Sequence, residues 1–293
     1  MELSGKLAFI TGAASGIGLA LTRECVAHGM KVIMTDVETP VLERAADELS
    51  AGGFDVVARQ LDVTNRVQYE AVAAETLEQF GAPYALFNNA GVAWGAAAST
   101  AKIEDWTWLI NVNILGVANG LTLLLPAMIS ARHGGYVVNT GSITGLMTCP
   151  DGAAIYSMTK HAVVAMSETL AHELRDHDIH VTVICPGAVA TSISHADRNR
   201  PAGALGAGLT EPREGTRERT REYLSRGLPP AEIARRTFAA MQEKRFYMIS
   251  HHEYRGAVEM RCAQILNAMQ GEPDTDKESL AAARAARPMT PLL

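Results

Sequence analysis

The sequence predicts a single α/β domain with a Rossmann-like, doubly wound parallel sheet of about seven strands and helices on both faces. Strand-like and helix-like segments alternate through most of the 293 residues. The strand-like segments are short and almost wholly apolar, as expected when helices cover both faces of a sheet. A glycine-rich turn, residues 11–18, lies between the first strand and the first helix. Alternation of this kind implies parallel pairing through right-handed crossovers.

The individual elements follow from local patterns. Apolar runs predict strands, and apolar residues at three- and four-residue intervals predict helices. The predicted strands are residues 6–11, 31–36, 55–61, 84–87, 136–140, 180–185 and 246–249. The predicted helices are residues 16–28, 41–49, 66–80, 104–132, 154–175, 229–242 and 255–269. Prolines at the start of the segment 229–242 favour a helix N-terminus there.

The glycine-rich turn favours a bound pyrophosphate. Gly12 permits a tight turn, a side chain at Gly16 would hinder a ligand, and Gly18 lets the helix lie close to the sheet. The new helix directs free N–H groups and the positive end of its dipole at the turn, where Ser15 and Ile17 also lie. Strand, turn and helix in this order, with an acid at the end of the next strand, predict a dinucleotide site.

The carboxylate of Asp36 predicts NAD as the dinucleotide. Asp36 ends the second strand, about 20 residues after the turn, where it can accept both hydroxyls of an adenosine ribose and repel a 2′-phosphate. Residues 14–15 and 37–38 supply no cation that would bind such a phosphate. The alternative is that Asp36 only caps the helix that follows.

Two further strand ends contribute to the same predicted groove. Asp62 and Val63 follow the third strand, where a carboxylate and a backbone N–H can bind an adenine edge. The fourth strand ends at residues 88–91, and Asn89, Ala90 and Gly91 are small or polar where a cofactor would pass. A purely structural polar turn is the alternative for these residues.

Tyr156 and Lys160 lie four residues apart near the start of a predicted helix, so both face one side of it. An ammonium beside a phenol lowers the pKa of the phenol, which can then exchange a proton with a substrate hydroxyl. Ser142 follows the fifth strand and can hydrogen-bond the same substrate oxygen. Asn113 lies in an apolar helical stretch, where an amide without a partner is costly. These four residues are the candidate catalytic set.

In their order along the chain, these features resemble the classical short-chain dehydrogenase/reductase family over about residues 5–250. The matching residues are the 11–18 turn, Asp62, residues 88–91, Asn113, Ser142, Tyr156, Lys160, Pro186, Gly187 and Thr191. The resemblance implies that Tyr156 is the catalytic base, that Lys160 binds the nicotinamide ribose and tunes Tyr156, and that Ser142 orients the substrate oxygen.

The same resemblance implies that Asn113 holds a water linking Lys160 to solvent. It also implies that Val189 and Thr191, after Pro186 and Gly187, contact the nicotinamide amide. One more residue than is usual separates Ser142 from Tyr156, which predicts a bulge in residues 146–153 at the rim of the substrate pocket.

The implied reaction interconverts a secondary alcohol and a ketone by hydride transfer with NAD. Four details resemble the bacterial Cα-dehydrogenases of lignin-derived β-aryl ethers, which oxidise a benzylic alcohol: the 154–156 spacing, the 199–201 turn, the 246–249 strand and the 255–269 helix. An NAD(P)H-dependent reductase of a keto or steroid-like substrate is an alternative. A second alternative, a non-catalytic NAD-binding regulatory protein, is disfavoured by the intact set of Ser142, Tyr156 and Lys160.

Residues 192–227 interrupt the alternation and are rich in Gly, Pro, Arg and Thr, which predicts a lid over the substrate. The candidate substrate contacts are Trp94, Thr144, Met147, Ile155, Ile193 and His195. The alternative for the large apolar side chains is a place in the core, and for His195 a place on the surface. We expect one NAD-binding and catalytic domain over residues 1–270, and disorder over 271–293.

The helices at 104–132 and 154–175 carry apolar residues on more than one side, among them Leu121, Leu123 and Met166. One side must pack on the sheet. In the family, these two helices bury against the same helices of a second subunit, which implies a homodimer or homotetramer. The alternative is that residues 255–269 fold back and cover the spare apolar surface within one chain.

Composition narrows the class of protein further. A net charge of −6 argues against nucleic acid as the main partner. The four cysteines, Cys25, Cys149, Cys185 and Cys262, are scattered without metal-ligand spacing, so we expect reduced thiols and no metal. We find no apolar stretch of membrane-spanning length and no signal-peptide pattern before the first strand. We therefore expect a cytoplasmic protein that binds a small-molecule alcohol or ketone, and neither nucleic acid nor membrane.

Overall fold

Strands and helices alternate along the part of the chain that the computed structural model describes, residues 2–149, 153–200, 210–211, 214–271 and 276–286. The strands are β1 (Leu7–Thr11), β2 (Lys31–Asp36), β3 (Val56–Gln60), β4 (Ala85–Asn88), β5 (Gly135–Thr140), β6 (Ile179–Cys185) and β7 (Tyr247–Ile249). The helices are α1 (Gly16–Ala27), α2 (Thr39–Ala51), α3 (Arg66–Phe80), α4 (Ile103–Ile110), α5 (Gly116–Ala131), α6 (Ala154–Glu173), α7 (Thr216–Ser225), α8 (Pro230–Gln242), α9 (Arg255–Ala268) and α10 (Lys277–Ala286).

The seven strands form one parallel sheet in the order β3-β2-β1-β4-β5-β6-β7. The order runs one way from β1 to β3 and the other way from β4 to β7, so the sheet is doubly wound, with its switch point between β1 and β4. This confirms the predicted fold class and strand number. Each observed strand boundary lies within one residue of its prediction.

Side chains that alternate along each strand supply two apolar layers, one on each face of the sheet. In β1, Ala8 and Ile10 belong to one layer, and Leu7 and Phe9 belong to the other. Helices α1, α2 and α8 cover the first layer, and α3, α5 and α6 cover the second. Both faces are therefore dry, which leaves the strand ends as the place where polar groups meet a ligand.

The long predicted helix at 104–132 is interrupted. A five-residue π-helical turn, Asn111–Leu115, lies between α4 and α5, and the N–H of Gly116 donates to the carbonyl of Asn111. The sequence predicts an uninterrupted helix because the apolar pattern continues through the turn. The extra residue in the turn accommodates Asn113, which is buried and bonded to neighbouring elements. Turns of this type occur frequently at functional sites.

The expectation that no stretch has membrane-spanning length and hydropathy is wrong. The continuous helical segment Ile103–Ala131 contains a window of mean hydropathy 1.8, of which 33% is buried. Length and composition alone are weak evidence for a membrane span, because core helices share them. This segment packs on α3 and α6, and Asn119 donates to the carbonyl of Val63 at 2.9 Å. The exposed apolar residues of this segment form a candidate surface for contact between subunits.

The C-terminal segment differs from its prediction. We expect disorder from residue 271, but Lys277–Ala286 is a helix, while 272–275 and 287–293 lie outside the described residues. Asp276 accepts hydrogen bonds from the N–H groups of Glu278 and Ser279 at 3.1 and 2.9 Å, as an N-cap residue does. This cap precedes an alanine-rich run, and alanine has the highest helix propensity.

Candidate active site

The carboxyl ends of β1 and β4 meet at the switch point, and the glycine turn lies there. Gly12 has a φ of +67°, a conformation that side chains disfavour. A Cβ on Gly12 would lie 2.9 Å from the Cα of Ala90, and one on Gly18 would lie 2.0 Å from the carbonyl oxygen of Gly12. The turn therefore packs tightly against the end of β4 and the start of α1, as the sequence predicts.

The start of α1 is open to an anion. Gly16 has a φ of +54°, and a Cβ there would lie 3.1 Å from the Cγ2 of Thr191. Ser15 is the N-cap residue, but its exposed side chain makes no cap hydrogen bond, and Ile17 is half-buried. The first turn of α1 thus keeps backbone donors for a ligand, which fits a phosphate.

Asp36 is held at the end of β2 by backbone donors. Its Oδ2 accepts from the N–H of Ala14 at 3.0 Å, and its Oδ1 accepts from the N–H of Glu38 at 3.0 Å. Burial raises the pKa of this carboxyl, and the backbone hydrogen bonds oppose the rise. The bond to Glu38 at the entry to α2 also agrees with the capping alternative. A carboxylate has further lone pairs, so the capacity to accept ribose hydroxyls remains.

A cavity of about 320 Å³ opens over these strand ends. The predicted cofactor residues in its lining are Gly12, Asp36, Asp62, Val63, Ala90 and Gly91. Sequence reasoning missed the other side of the cavity, where the lining includes Glu38, Thr107, Trp108, Asn111, Arg198, Asn199 and Arg200. A glycine cradle with a carboxylate beside it fits the phosphates and ribose of a dinucleotide.

Residues 14–15 and 37–38 supply no cation, as the sequence shows, but the fold brings two arginines to the cavity. Arg198 and Arg200 line the same cavity as Asp36, and the Nε of Arg198 lies 2.7 Å from the Oε1 of Glu38. These arginines are far from Asp36 along the chain, and only the course of the segment after β6 brings them near. Arg198 is therefore paired with Glu38. The prediction of NAD rather than NADP has to take account of this cation and its acidic partner.

Asn89 ties three strand ends together. Its Nδ2 donates to the carbonyls of Thr11 and Gly12 at 3.0 and 3.3 Å, and its Oδ1 accepts from the hydroxyl of Thr140 at 3.2 Å. The N–H groups of Asn89 and Ala90 both donate to the Thr11 hydroxyl, at 2.9 and 3.0 Å. The 88–91 turn thus has the structural function that the alternative proposes, and it also lines the cavity.

Ser142, Tyr156 and Lys160 come together beyond the end of β5. The Tyr156 hydroxyl faces Ser142, and the Nζ of Lys160 lies 5.6 Å from the centre of the Tyr156 ring. Lys160 is buried, and its Nζ donates to the carbonyl of Thr140 at 2.9 Å. The structure places together the three residues that the sequence pattern selects.

The electrostatics of this group differ from expectation. Burial raises the pKa of Tyr156 to about 12, and the hydrogen bond with Ser142 opposes part of the rise. Burial lowers the pKa of Lys160 to about 8. The predicted lowering of the phenol pKa is absent in this arrangement because the cost of burying a phenolate dominates. The phenol therefore needs a further positive charge before it ionises near neutral pH.

Asn113 uses its amide on protein partners. Its Oδ1 accepts from the N–H of Val92 at 2.9 Å, and its Nδ2 donates to the carbonyl of Val92 and the hydroxyl of Thr159 at 2.9 and 3.0 Å. A Cβ on Gly91 would lie 3.3 Å from this Oδ1 and 3.4 Å from the Nζ of Lys160. Asn113 is thus close to Lys160, but both of its amide hydrogens are used. If Asn113 binds a water that links Lys160 to solvent, it has to do so through a carbonyl oxygen and not through its amide hydrogens.

The segment after β6 connects the carboxyl ends of β5, β6 and β7 by hydrogen bonds. The carbonyl of Pro186 accepts from the N–H of Ile143 at 2.9 Å, and the N–H of Gly187 donates to the Nδ1 of His251 at 3.1 Å. A Cβ on Gly187 would lie 2.7 Å from the Cγ of His251, so this turn also requires a glycine. Val189 forms a parallel bridge with Leu228. Sequence reasoning missed His251, whose partner is distant in sequence.

Comparison with known proteins decides the family. A family model described as short chain dehydrogenase matches residues 6–202, more than half of the chain. The chain belongs to the short-chain dehydrogenase family. It is therefore an oxidoreductase that acts on alcohols or ketones.

Relatives of known name agree with this assignment. A CLA biosynthesis dehydrogenase/reductase of Lactiplantibacillus plantarum is 30% identical over 93% of this chain and 96% of its own length. A C alpha-dehydrogenase of a Sphingobium species is 29% identical over 97% of this chain and 94% of its own length. The second relative supports the loose resemblance to Cα-dehydrogenases.

Solved structures of short-chain dehydrogenases share the fold. One from Burkholderia phymatum, in complex with NAD, has a TM-score of 0.87 and 35% identity, covering 94% of this chain and 99% of its own. The apo form of LigD from Sphingobium has a TM-score of 0.76 and 26% identity, covering 92% of this chain and all of its own. The bound NAD of the first structure agrees with the cofactor that the sequence predicts.

The candidate substrate residues of this dehydrogenase divide into three groups. Trp94 and Ile155 are buried in an apolar cluster with Trp108, against which Tyr156 packs. Thr144, Met147 and Ile193 are half-buried, and the Thr144 hydroxyl donates to Ser142 at 3.1 Å. His195 is exposed, as its surface alternative states. The apolar cluster therefore lies beside the candidate base, and His195 does not belong to it.

The described parts of the predicted lid are the segment Ser192–Asn199 and helix α7, whereas residues 201–209 and 212–213 lie outside the described residues. Arg217 lies 4.6 Å over the Trp94 ring and 3.4 Å from the carboxylate of Asp197. The indole N–H of Trp94 donates to the carbonyl of Thr210 at 2.9 Å. Trp94 is thus covered by the lid on one side and by the apolar cluster on the other.

A second cavity, of about 660 Å³, lies between α7 and the end of β7. None of the predicted site residues is in its lining, which includes Arg219, Tyr223 and Tyr254. Among the described residues, no three His, Cys, Asp or Glu side chains gather where they could hold a metal ion. The predicted site residues therefore lie at the carboxyl edge of the sheet and not in this second cavity.

Proposed function

We propose that this short-chain dehydrogenase interconverts a secondary alcohol and a ketone with NAD, using Tyr156 as the acid–base residue. The observation that carries the proposal is the meeting of the Tyr156 hydroxyl, Ser142 and the buried ammonium of Lys160 beside a glycine-cradled groove. Steady-state turnover of secondary alcohols with NAD, followed by absorbance of the reduced cofactor, tests it. Failure of every alcohol and of every ketone in reverse would contradict it.

The preference for NAD is supported by two acidic residues at the adenosine end of the groove. Asp36 lies at the end of β2, and Glu38 lies next to it with Arg198 as its partner. A 2′-phosphate would meet the negative charge of both carboxylates. We expect the unmodified enzyme to have a higher kcat/KM with NAD than with NADP. The reverse order would contradict our interpretation of Asp36.

In the proposed mechanism, Ser142 and Tyr156 both hydrogen-bond the substrate oxygen, and Tyr156 takes the hydroxyl proton during oxidation. NAD, when bound in the groove, would supply the hydride acceptor and, in its oxidised form, a positive charge near the phenol. Lys160, fixed by the Thr140 carbonyl, supplies a second positive charge while it is protonated, below about pH 8. Asn113, whose Oδ1 lies near the same side of Gly91 as this ammonium, holds Val92 and Thr159 in place. In the reverse direction Tyr156 returns the proton to the ketone oxygen.

For the substrate we propose an aryl secondary alcohol, whose carbinol carbon lies next to the ring. Trp94, Trp108 and Ile155 form a buried aromatic and apolar cluster, against which Tyr156 packs beside the place where the substrate would lie. The C alpha-dehydrogenase relative supports the same class. A panel of matched aryl and aliphatic secondary alcohols distinguishes the classes by kcat/KM. Equal values for the two series would contradict the aryl preference, and turnover only of keto or steroid-like compounds would favour the reductase alternative.

For assembly we propose a homodimer or homotetramer. The contact would be formed by the helical segment that contains α4 and α5 and by helix α6. Leu115 and Met158 on this surface are exposed, and Leu121 and Leu123 are only half-buried. The fold-back alternative is disfavoured, because none of the residues of α9 is buried. Light scattering at micromolar concentration should give a mass of two or four chains. The mass of one chain would contradict the proposal.

A location in the cytoplasm stays a prediction.

A further inference from the structure

The segment Ser192–Asn199 connects the two sides of the cofactor groove. At its beginning, Thr191 packs against Gly16 in the glycine turn. At its end, the Nε of Arg198 lies 2.7 Å from the Oε1 of Glu38, and the Nδ2 of Asn199 donates to the same oxygen. The segment is therefore attached to the β2–α2 connection, on the opposite side of the groove from β6.

Arg198 also organises the segment itself. Its Nη1 donates to the carbonyl of His195 at 2.8 Å and to the carbonyl of Ser192 at 3.1 Å. One guanidinium thus joins the backbone of the segment to the Glu38 carboxylate. The side chains of Glu38 and Arg198 are 20% and 39% exposed, so their attraction is only partly screened by water. The loss of Arg198 would remove the ion pair and the internal bonds, and the loss of Glu38 would remove both bonds of the attachment.

The attachment point coincides with the adenosine end of the groove. Glu38, Arg198 and Asn199 line the same cavity as Asp36, and Asp62 and Arg200 are the other charged residues in its lining. A ligand that occupies this cavity therefore touches the segment that forms the beginning of the lid. The same segment continues toward Trp94 through the pair of Asp197 and Arg217.

We propose that Glu38 and Arg198 form a latch that fastens the lid segment Ser192–Asn199 across the adenosine end of the groove, so that binding of the dinucleotide and closing of the lid are one coupled event. This inference rests on the proposed use of NAD. The latch also adds to cofactor choice, because a 2′-phosphate beside Asp36 would compete with Glu38 for Arg198. Such competition would open the lid.

The test measures binding and local opening, not turnover. The variants are Arg198→Met, Glu38→Gln and the double variant, and Arg226→Met is the matched control because its pair with Glu222 lies on α7, outside the groove. Calorimetry gives the Kd for NAD. Hydrogen–deuterium exchange gives the protection of residues 192–199 with and without NAD.

We expect each single variant to raise the Kd for NAD by about three- to tenfold, the range for a partly shielded ion pair with an added hydrogen bond. The double variant should bind no more weakly than either single variant, because the pair acts as a unit. Exchange in residues 192–199 of the free protein should become faster in all three, and NAD should slow it less than in the unmodified protein. Arg226→Met should change neither measurement.

Three results would overturn the latch while leaving NAD binding in place: an unchanged Kd in both single variants, losses that multiply in the double variant, or unchanged exchange over residues 192–199. A lack of NAD binding by the unmodified, folded protein would overturn the proposed cofactor itself, and the coupling with it. The two failures are thus distinguishable in one set of titrations.

Discussion

The glycine turn after β1 and the lid segment Ser192–Asn199 border one groove but are held by different forces. In the turn, contacts between backbones are so close that a Cβ on Gly18 would lie 2.0 Å from the carbonyl of Gly12. In the lid segment, side chains do the holding, with Arg198 on Glu38 and Arg217 over Trp94. The closely packed backbone of the turn cannot shift to another arrangement without a clash. The ion pairs of the lid segment are partly exposed and therefore weak.

The difference teaches how one edge of a sheet can bind a cofactor rigidly and a substrate adaptably. The turn lies between β1 and α1, and every residue of β1 is buried. In the lid segment only Ala196 is buried. Regions with few buried contacts open at low free-energy cost. We therefore expect changes in the turn to affect stability and cofactor binding together, and changes in the lid to affect ligand affinity with little effect on stability.

The largest expected effect lies between the two regions, at Tyr156. Tyr156→Phe removes only the transferable proton, so kcat should fall by at least about a hundredfold while the Kd for NAD stays unchanged. Stopped-flow turnover and calorimetry measure the two quantities. Tyr223→Phe, on the exposed lid helix α7, is the matched control and should keep full activity. If Tyr156→Phe kept more than about a tenth of kcat, Tyr156 would not be the acid–base residue.

A methyl group in the turn tests its rigidity. Gly18→Ala should lower the free energy of unfolding by about 1–3 kcal/mol, because the turn and the helix cannot both keep their positions. Urea unfolding measures the change. Gly256→Ala is the control, since nothing lies within 4 Å of its added Cβ, and it should stabilise α9 by up to about 1 kcal/mol. Equal stabilities of Gly18→Ala and the parent would show that the turn is not sterically constrained.

The pH dependence tests Lys160. Burial raises the pKa of Tyr156 to about 12, so oxidation, which needs the phenolate, should become faster as pH rises. Below about pH 8 Lys160 is protonated, and Lys160→Met removes this charge, which favours the phenolate, so the rising limb of kcat/KM in that range should move to higher pH. A shift of about one unit would slow oxidation at neutral pH about tenfold. Lys31→Met, at the opposite end of the strands, is the control. An identical pH profile for Lys160→Met would contradict the tuning of Tyr156.

The smallest expected effect is in the lid. Arg217→Met should raise the KM for the alcohol about two- to fivefold, since it removes one partly exposed ion pair and one cation–π contact. The Kd for NAD and the free energy of unfolding should stay unchanged. Initial-rate kinetics at saturating NAD measures the effect. A large loss of stability would show that the lid is as rigid as the turn, and the comparison would fail.

Local patterns in the sequence predict most of the fold. Apolar runs predict each strand to within one residue, because a strand buried on both faces is apolar along its length. The edge strand β3, which contains Arg59, is only half-buried. The same patterns misjudge Asn111–Leu115, because an apolar run is compatible with both a π turn and an α-helix. They also misjudge the tail, where low hydrophobicity predicts disorder although capping and alanine stabilise α10.

By itself, the sequence determined the parallel sheet through the alternation of elements, and it determined the candidate site through residue types at strand ends. Parallel strands place all their carboxyl ends on one edge, so Gly12, Asp36, Ser142 and Gly187 had to converge there. Only the tertiary structure decided the pairing of Arg198 with Glu38, the partners of Asn113, and the raised pKa of Tyr156. Each of these depends on burial or on contact between residues distant in sequence, and neither quantity is written in a local pattern.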